Sequence, residues 1–76
     1  MNKATRAEIA GLMEKLENIK SDIENLQSEE QDKFDNMPEG LQQSENGQKC
    51  EAASSALECA MSSLGDVINY LEEASD

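Results

Sequence analysis

The chain contains no histidine and no tryptophan, and only one phenylalanine, one tyrosine and one proline. Without histidine, no Ser-His-Asp or Cys-His constellation can be assembled, and the two cysteines alone make a poor zinc site. Glycine is scarce as well, and none of it forms a phosphate-cradling loop. Gly40 and Gly47 sit in or next to a turn, while Gly11 and Gly65 are isolated within helical stretches. Carboxylates are abundant, but neighbours such as Glu29 and Glu30, or Glu72 and Glu73, point apart on a helix and make poor general acid–base pairs. Asp32, Asp35 and Glu39 are rich in oxygen yet lack the spacing of a calcium loop. The expectation is a protein without catalytic residues, bound metal or cofactor, which is not an enzyme.

Long hydrophobic runs are also missing. No stretch approaches the ~18 apolar residues of a membrane span, and the segment MNKATRAEIAGLMEK lacks the apolar core of a signal peptide. A cytoplasmic location, in whatever host cell makes the protein, is expected. Positive charge is in short supply: six Lys and Arg face seventeen Asp and Glu, for a net charge of −11. Such a surface repels nucleic acid and anionic headgroups and favours a partner with a basic surface. The plainer reading is that acidic helix faces keep a small helical protein in solution. Cys50 and Cys59 are nine residues apart, which on one helix places them on opposite faces roughly 13 Å apart along the axis. That is too far for an intrachain disulfide.

What the sequence does contain is heptad periodicity. Seventy-six residues make one domain. In a first segment, about residues 4–34, apolar residues fall at Ile9, Leu12, Leu16, Ile19, Ile23 and Leu26, in steps of three and four. This is a seam of a and d positions. It stops near Leu26, because the next two positions are Glu30 and Lys33. A second segment, about residues 45–74, carries Cys50, Leu57, Leu64 and Leu71 in register a against the smaller Ala53, Ala60, Val67 and Ala74 in register d. Met61 and Ile68 widen its apolar face on one flank, while Ala52, Ala56, Cys59, Ser63 and Tyr70 extend it weakly on the other.

The link, about residues 35–44, breaks any continuous helix with Pro38 and Gly40. A short link between long amphipathic helices makes them antiparallel neighbours. Ser44 is a suitable N-cap for the second helix, and a short helical turn can start at Pro38 and Glu39. Phe34, Met37 and Leu41 are expected to plug the open end. The fold class is therefore all-α: an antiparallel, coiled-coil-like two-helix hairpin. Dimerisation is expected to complete a four-helix bundle, through an oligomer face of Leu57, Met61, Leu64, Ile68 and Leu71.

The link and the residues around it, EEQDKFDNMPEGLQQSENGQKCEAASSALECA, resemble a family of small helical proteins from bacteriophages and mobile elements. There a first helix ends in an acidic, aromatic DNMPE segment, followed by an LQ-S-E-G stretch and a helix of small residues alternating with Leu. The resemblance spans roughly Leu26 to Leu71. It is carried by Phe34, Asp35, Asn36, Met37, Pro38, Glu39, Leu41, Gln42, Ser44, Glu45 and Gly47. Cys50 and Cys59 depart from it, standing where polar residues or Ala are expected. The resemblance implies a context, an accessory protein of a phage or integrated element, and no particular activity.

Three functions follow as expectations. The first is an inhibitor or adaptor, anti-CRISPR-like, that docks on a host defence or nucleic-acid enzyme. Its acidic face would be Glu14, Glu17, Asp22, Glu24 and Glu29, with link contacts at Phe34, Asp35, Asn36, Met37, Glu39 and Leu41. The second is a structural bundle of two copies or of one copy with a partner helix. The third is an oligomeric sponge for a nucleotide-like ligand, with a phosphate at the helix N-terminus around Ser44 to Gly47.

Overall fold

The two heptad segments fold as helices because nothing in either interrupts the backbone ladder, and the ends are marked by capping side chains. A computed structural model describes residues 1–76. Helix α1 runs Lys3–Asp35, a short α2 runs Glu39–Gln42, and α3 runs Glu45–Ser75. The Asn2 side chain caps α1 by accepting from the Thr5 N–H at 2.8 Å. At the other end the Asn36 N–H donates to the Asp32 carbonyl and the Met37 N–H to the Phe34 carbonyl. Pro38 has no N–H to extend this ladder. Its carbonyl instead accepts from Leu41 and Gln42 at 2.8 and 3.1 Å, which opens α2. The Gln42 side-chain amide then reaches back to the Phe34 carbonyl at 3.0 Å and ties the turn to the end of α1.

Ser44 caps α3 in two directions. Its hydroxyl accepts from the Gly47 N–H at 3.2 Å and donates to the Leu41 carbonyl. This folds α2 down onto the first turn of α3, and Gly47 is buried beneath it. A Cβ on Gly47 would meet the carbonyl oxygens of Gln42 and Leu41, the latter at 2.5 Å. Only glycine allows that approach. Phe34 and Met37 are half-buried at this end, but Leu41 is 55% exposed. Two of the three expected plugging residues thus lie inward; Leu41 rides on the outer side of α2.

The long helices pack along their length in an outline of 58 × 15 × 13 Å. The face that α1 turns inward holds Ile9, Met13, Leu16, Lys20, Ile23, Gln27 and Phe34, which is registers a and e. On α3 the inward residues are again mainly a and e: Cys50, Ser54, Leu57, Met61, Leu64, Ile68 and Leu71. The simple expectation of a on d therefore needs correcting. Leu12, Ile19 and Leu26, all in register d, remain 48, 47 and 51% exposed. Met61 and Ile68, expected on an open flank, lie against α1, and Ile68 is one of the most buried residues.

The cause is geometric. On α3 the e register offers Met61 and Ile68, much larger than Ala53 and Ala60 in d, so burying e removes more apolar area from water. On α1 the same two registers face inward, and Leu12, Ile19 and Leu26 in d stay outside. Because the helices are antiparallel and bury the same registers, both d stripes lie on one side of the pair and both b stripes on the other. Lys20 and Gln27, which fall in the α1 e register, contribute their aliphatic stems to the seam.

Toward the link end of the hairpin the seam becomes polar. Ser54 is only 2% exposed. Its hydroxyl accepts from Gln27 Nε2 and donates to Gln31 Oε1, both at 2.9 Å. Every buried side-chain polar atom finds a hydrogen-bond partner, as a thin core with little water access requires.

Candidate interaction surfaces

The a/e packing gives the hairpin two different long sides. On one side, bounded by registers e and b, runs an open groove lined by Lys20, Glu24 and Gln27 of α1 and by Glu58, Met61, Ser62 and Gly65 of α3. Lys20 Nζ lies 3.8 Å from where a Cβ on Gly65 would be, so the missing side chain leaves room for the ammonium. Exposed carboxylates repeat every seven residues along this side. Glu17 and Glu24 stand on α1, and Glu51, Glu58 and Glu72 on α3, with Gly65 taking the place of one member. Successive acids on one helix are ~10.5 Å apart.

The opposite side is apolar. It is made of the d stripe of α1, with Leu12, Ile19 and Leu26, and that of α3, with Ala53, Ala60, Val67 and Ala74. Val67 is 42% exposed and the neighbouring Tyr70 is 70% exposed.

The five acids expected to form one face on α1 do not do so. All are exposed, but Glu17 and Glu24 belong to the groove side, Asp22 and Glu29 border the apolar side, and Glu14 points to the back of the helix. Of the expected link contacts, Asp35, Asn36, Glu39 and Leu41 are exposed at the bend, whereas Phe34 and Met37 are half-buried. The expected oligomer face of Leu57, Met61, Leu64, Ile68 and Leu71 is largely spent inside the hairpin: Ile68 is buried and the other four are half-buried. Glu51, Glu58 and Glu72 are not among the expected acidic residues; they share register b with Glu17 and Glu24, and only the pairing of the two helices brings the two b stripes to one side. Ser54, Gln27 and Gln31 escaped it because a buried serine in a run of small residues gives no periodic signal.

Electrostatically the surface is almost unpaired. Two ion pairs form, Lys33–Glu30 at 3.0 Å and Lys49–Glu45 at 3.4 Å, each within one helix. Of the seventeen acidic side chains, fifteen have no cationic partner in the chain. The hydrogen bond to Glu30, and then its charge, raise the Lys33 pKa above the usual lysine value.

No three of the Cys, Asp and Glu side chains converge on a point that could hold a metal ion. Both thiols are free, Cys50 half-buried and Cys59 exposed on the groove wall. The start of α3, expected as a phosphate cradle, is already occupied. The Gly47 N–H is used by Ser44, and the Leu41 and Gln42 carbonyl oxygens lie over the first turn. No helix is long and apolar enough to cross a membrane. Comparison with protein-family models, curated proteins and solved structures finds no match to this chain.

Proposed function

We propose that this chain is a non-catalytic, acidic interaction module whose groove side docks on the basic surface of another protein. The observation that carries this reading is the set of fifteen carboxylates left without a cation, five of which line one side of the hairpin. Unpaired like charges in register raise the local field and attract a complementary surface. The groove is open and lined mostly by polar side chains, unlike the concave apolar pocket that a small molecule usually requires.

Basic surfaces of this kind are most common on proteins that bind nucleic-acid phosphates. Together with the resemblance of the Phe34–Gly47 segment to phage and mobile-element proteins, this favours an inhibitor or adaptor. It would act on a host defence or nucleic-acid enzyme by occupying the site meant for phosphates.

The test is capture of bacterial host proteins on immobilised chain at low and high salt, with identification by mass spectrometry. The expected catch is a nucleic-acid-binding protein that is released as the screening length shrinks from ~10 Å at 0.1 M to ~3 Å at 1 M salt. The triple variant Glu17→Lys, Glu24→Lys, Glu58→Lys should lose it. Capture that survives both high salt and this charge reversal would remove the basis for the reading.

A further inference from the structure

We infer that a second copy of this chain covers the apolar side of the hairpin, with α1 lying antiparallel on α1 and α3 antiparallel on α3, so that the two links point in opposite directions. The inference concerns the side opposite the acidic groove and does not depend on the function proposed for that groove.

Each helix carries an apolar arc over registers d, a and e, about 100° wide, more than one neighbour can cover. The hairpin covers a and e; on the d side it leaves Leu12, Ile19, Leu26, Val67 and Ala74 exposed and Ala53 and Ala60 half-buried, all facing the same way. The apolar side runs along the 58 Å length of the hairpin, and a second copy laid along that length covers a side of the order of the ~800 Å² per partner of a standard stable interface.

The pattern on this side is self-complementary, as a two-fold axis demands. Centred on Ile19, a two-fold sets Ile19 on its counterpart and Leu12 on Leu26. It also sets Lys15 beside Asp22 twice, an opposite-charge pair next to the axis. On α3 the matching centre falls between Ala60 and Val67. There Ala60 meets Val67, Ala53 meets Ala74, and the exposed ring of Tyr70 lies over Ala56. Small residues on α3 let those backbones approach closely.

These two centres were chosen independently, from the pattern on each helix, and one axis must pass through both. The hairpin register meets that condition. Ser54 pairs with Gln27 and Gln31, and Lys20 lies beside Gly65, which puts Ile19 alongside Leu64 and Gly65, within two residues of the α3 centre. The unfavourable contact is Glu8 with Glu29 at the ends of the stripe. Both are exposed and open to screening by salt. In the dimer both acidic grooves face outward, so the assembly is bivalent.

The test combines mass with register. Light scattering should give twice 8.3 kDa. Ile19→Glu should weaken the dimer by at least about tenfold, since it buries two like charges together. Lys15→Asp and Asp22→Lys should each weaken it by about threefold to tenfold, and the double exchange should restore it. These charge variants lie at the exposed rim and leave the hairpin seam untouched. In a background with Cys50→Ser and Cys59→Ser, Ile19→Cys should be cross-linked as a dimer by copper–phenanthroline oxidation, while Glu17→Cys on the groove side should stay monomeric. A helical wild-type chain of 8.3 kDa at 0.1 mM would overturn the proposal. So would cross-linking through Glu17→Cys in place of Ile19→Cys, or a charge exchange that fails to restore the dimer.

Discussion

Replacing glycine by alanine should have opposite signs at different places in this chain, and the structure says where. In a helix interior the change favours folding by ~0.8–1 kcal/mol, because Ala restricts the unfolded backbone and shields the helical one. At Gly11 a new Cβ meets nothing within 4 Å, so the gain should appear almost whole. At Gly65 the nearest atom is Lys20 Nζ at 3.8 Å. That is ordinary contact with the tip of a flexible side chain, and a gain of ~0.5–1 kcal/mol is expected. Gly47 is different. Its Cβ would fall on the backbone carbonyls of Leu41 and Gln42, and these cannot swing aside as a side chain can. They are held by the Ser44 hydroxyl and by the turn that starts at Pro38. Forcing them apart should cost ~1–3 kcal/mol. Gly47 also sits in the first turn of α3, where the propensity gain is reduced, so the net effect is a loss of ~1–2 kcal/mol. Urea or thermal unfolding at one fixed protein concentration would measure the series, since the proposed self-association would make the midpoint concentration-dependent. For a chain of this size 1 kcal/mol moves Tm by about 4–8 °C. Gly47→Ala at or above wild-type stability would refute the seating of α2 on α3. A loss at Gly11 would refute the exposure of that face.

Ser54→Ala should destabilise by ~1 kcal/mol rather than the ~2 expected for two lost hydrogen bonds, because half-buried Gln27 and Gln31 can turn to water; chemical denaturation would show it, and no change would mean the network is absent. Ile68→Ala should cost ~2–3 kcal/mol, the low end for a core position, because the seam is only two helices thick; the midpoint of a urea titration is the readout, and a cost under 0.5 kcal/mol, a roughly surface-like effect, would place Ile68 outside the core. Lys33 has its pKa raised above 10.5, chiefly by its hydrogen bond to Glu30, so its contribution is fully present below that value and is lost as pH rises through the raised pKa. The stability difference between wild type and Lys33→Met should therefore be flat from neutral pH until it falls away above pH 10.5, and a difference that vanished near neutral pH would contradict the pairing.

The helices and their bend were readable because each has a strong local cause. The alternation of three and four from Ile9 to Leu26, the pair Pro38 and Gly40, and the cap at Ser44 all act within a few residues. The side on which each helix buries its flank was not readable from one helix at a time. Taken alone, α1 offers Leu12, Ile19 and Leu26 in d against Met13, Lys20, Gln27 and Phe34 in e, and d looks like the buried choice. Taken alone, α3 offers Ala53, Ala60 and Val67 in d against Ser54, Met61 and Ile68 in e. There the larger residues lie in e. The larger residues of α3 account for its own choice, but nothing in α1 alone accounts for its turning Lys20 and Gln27 inward and leaving Leu12, Ile19 and Leu26 exposed. The spread of Glu14, Glu17, Asp22, Glu24 and Glu29 over registers f, b, g, b and g is set by α1 alone and does not depend on which way α3 turns.

The a/e packing also separates the two surfaces to which the proposals refer. A hairpin that buried d on both helices would have left Met61 and Ile68 on the same side as Glu17, Glu24, Glu51 and Glu58, since e lies next to b. An apolar strip would then adjoin the carboxylates, and any basic partner would have to cover both. With e inside, the large aliphatic residues that the two long helices leave exposed, Leu12, Ile19, Leu26 and Val67, are all in d, across the hairpin from the b-register acids. Association through the d side and docking through the b side can then occur together without competing for area. This separation makes the two readings independently testable: Ile19→Glu should abolish pairing while leaving salt-sensitive capture on the groove intact, and Glu17→Lys with Glu24→Lys and Glu58→Lys should do the reverse. If either set of changes removed both properties at once, the two sides would not be separate surfaces, and the a/e packing that divides them would be wrong.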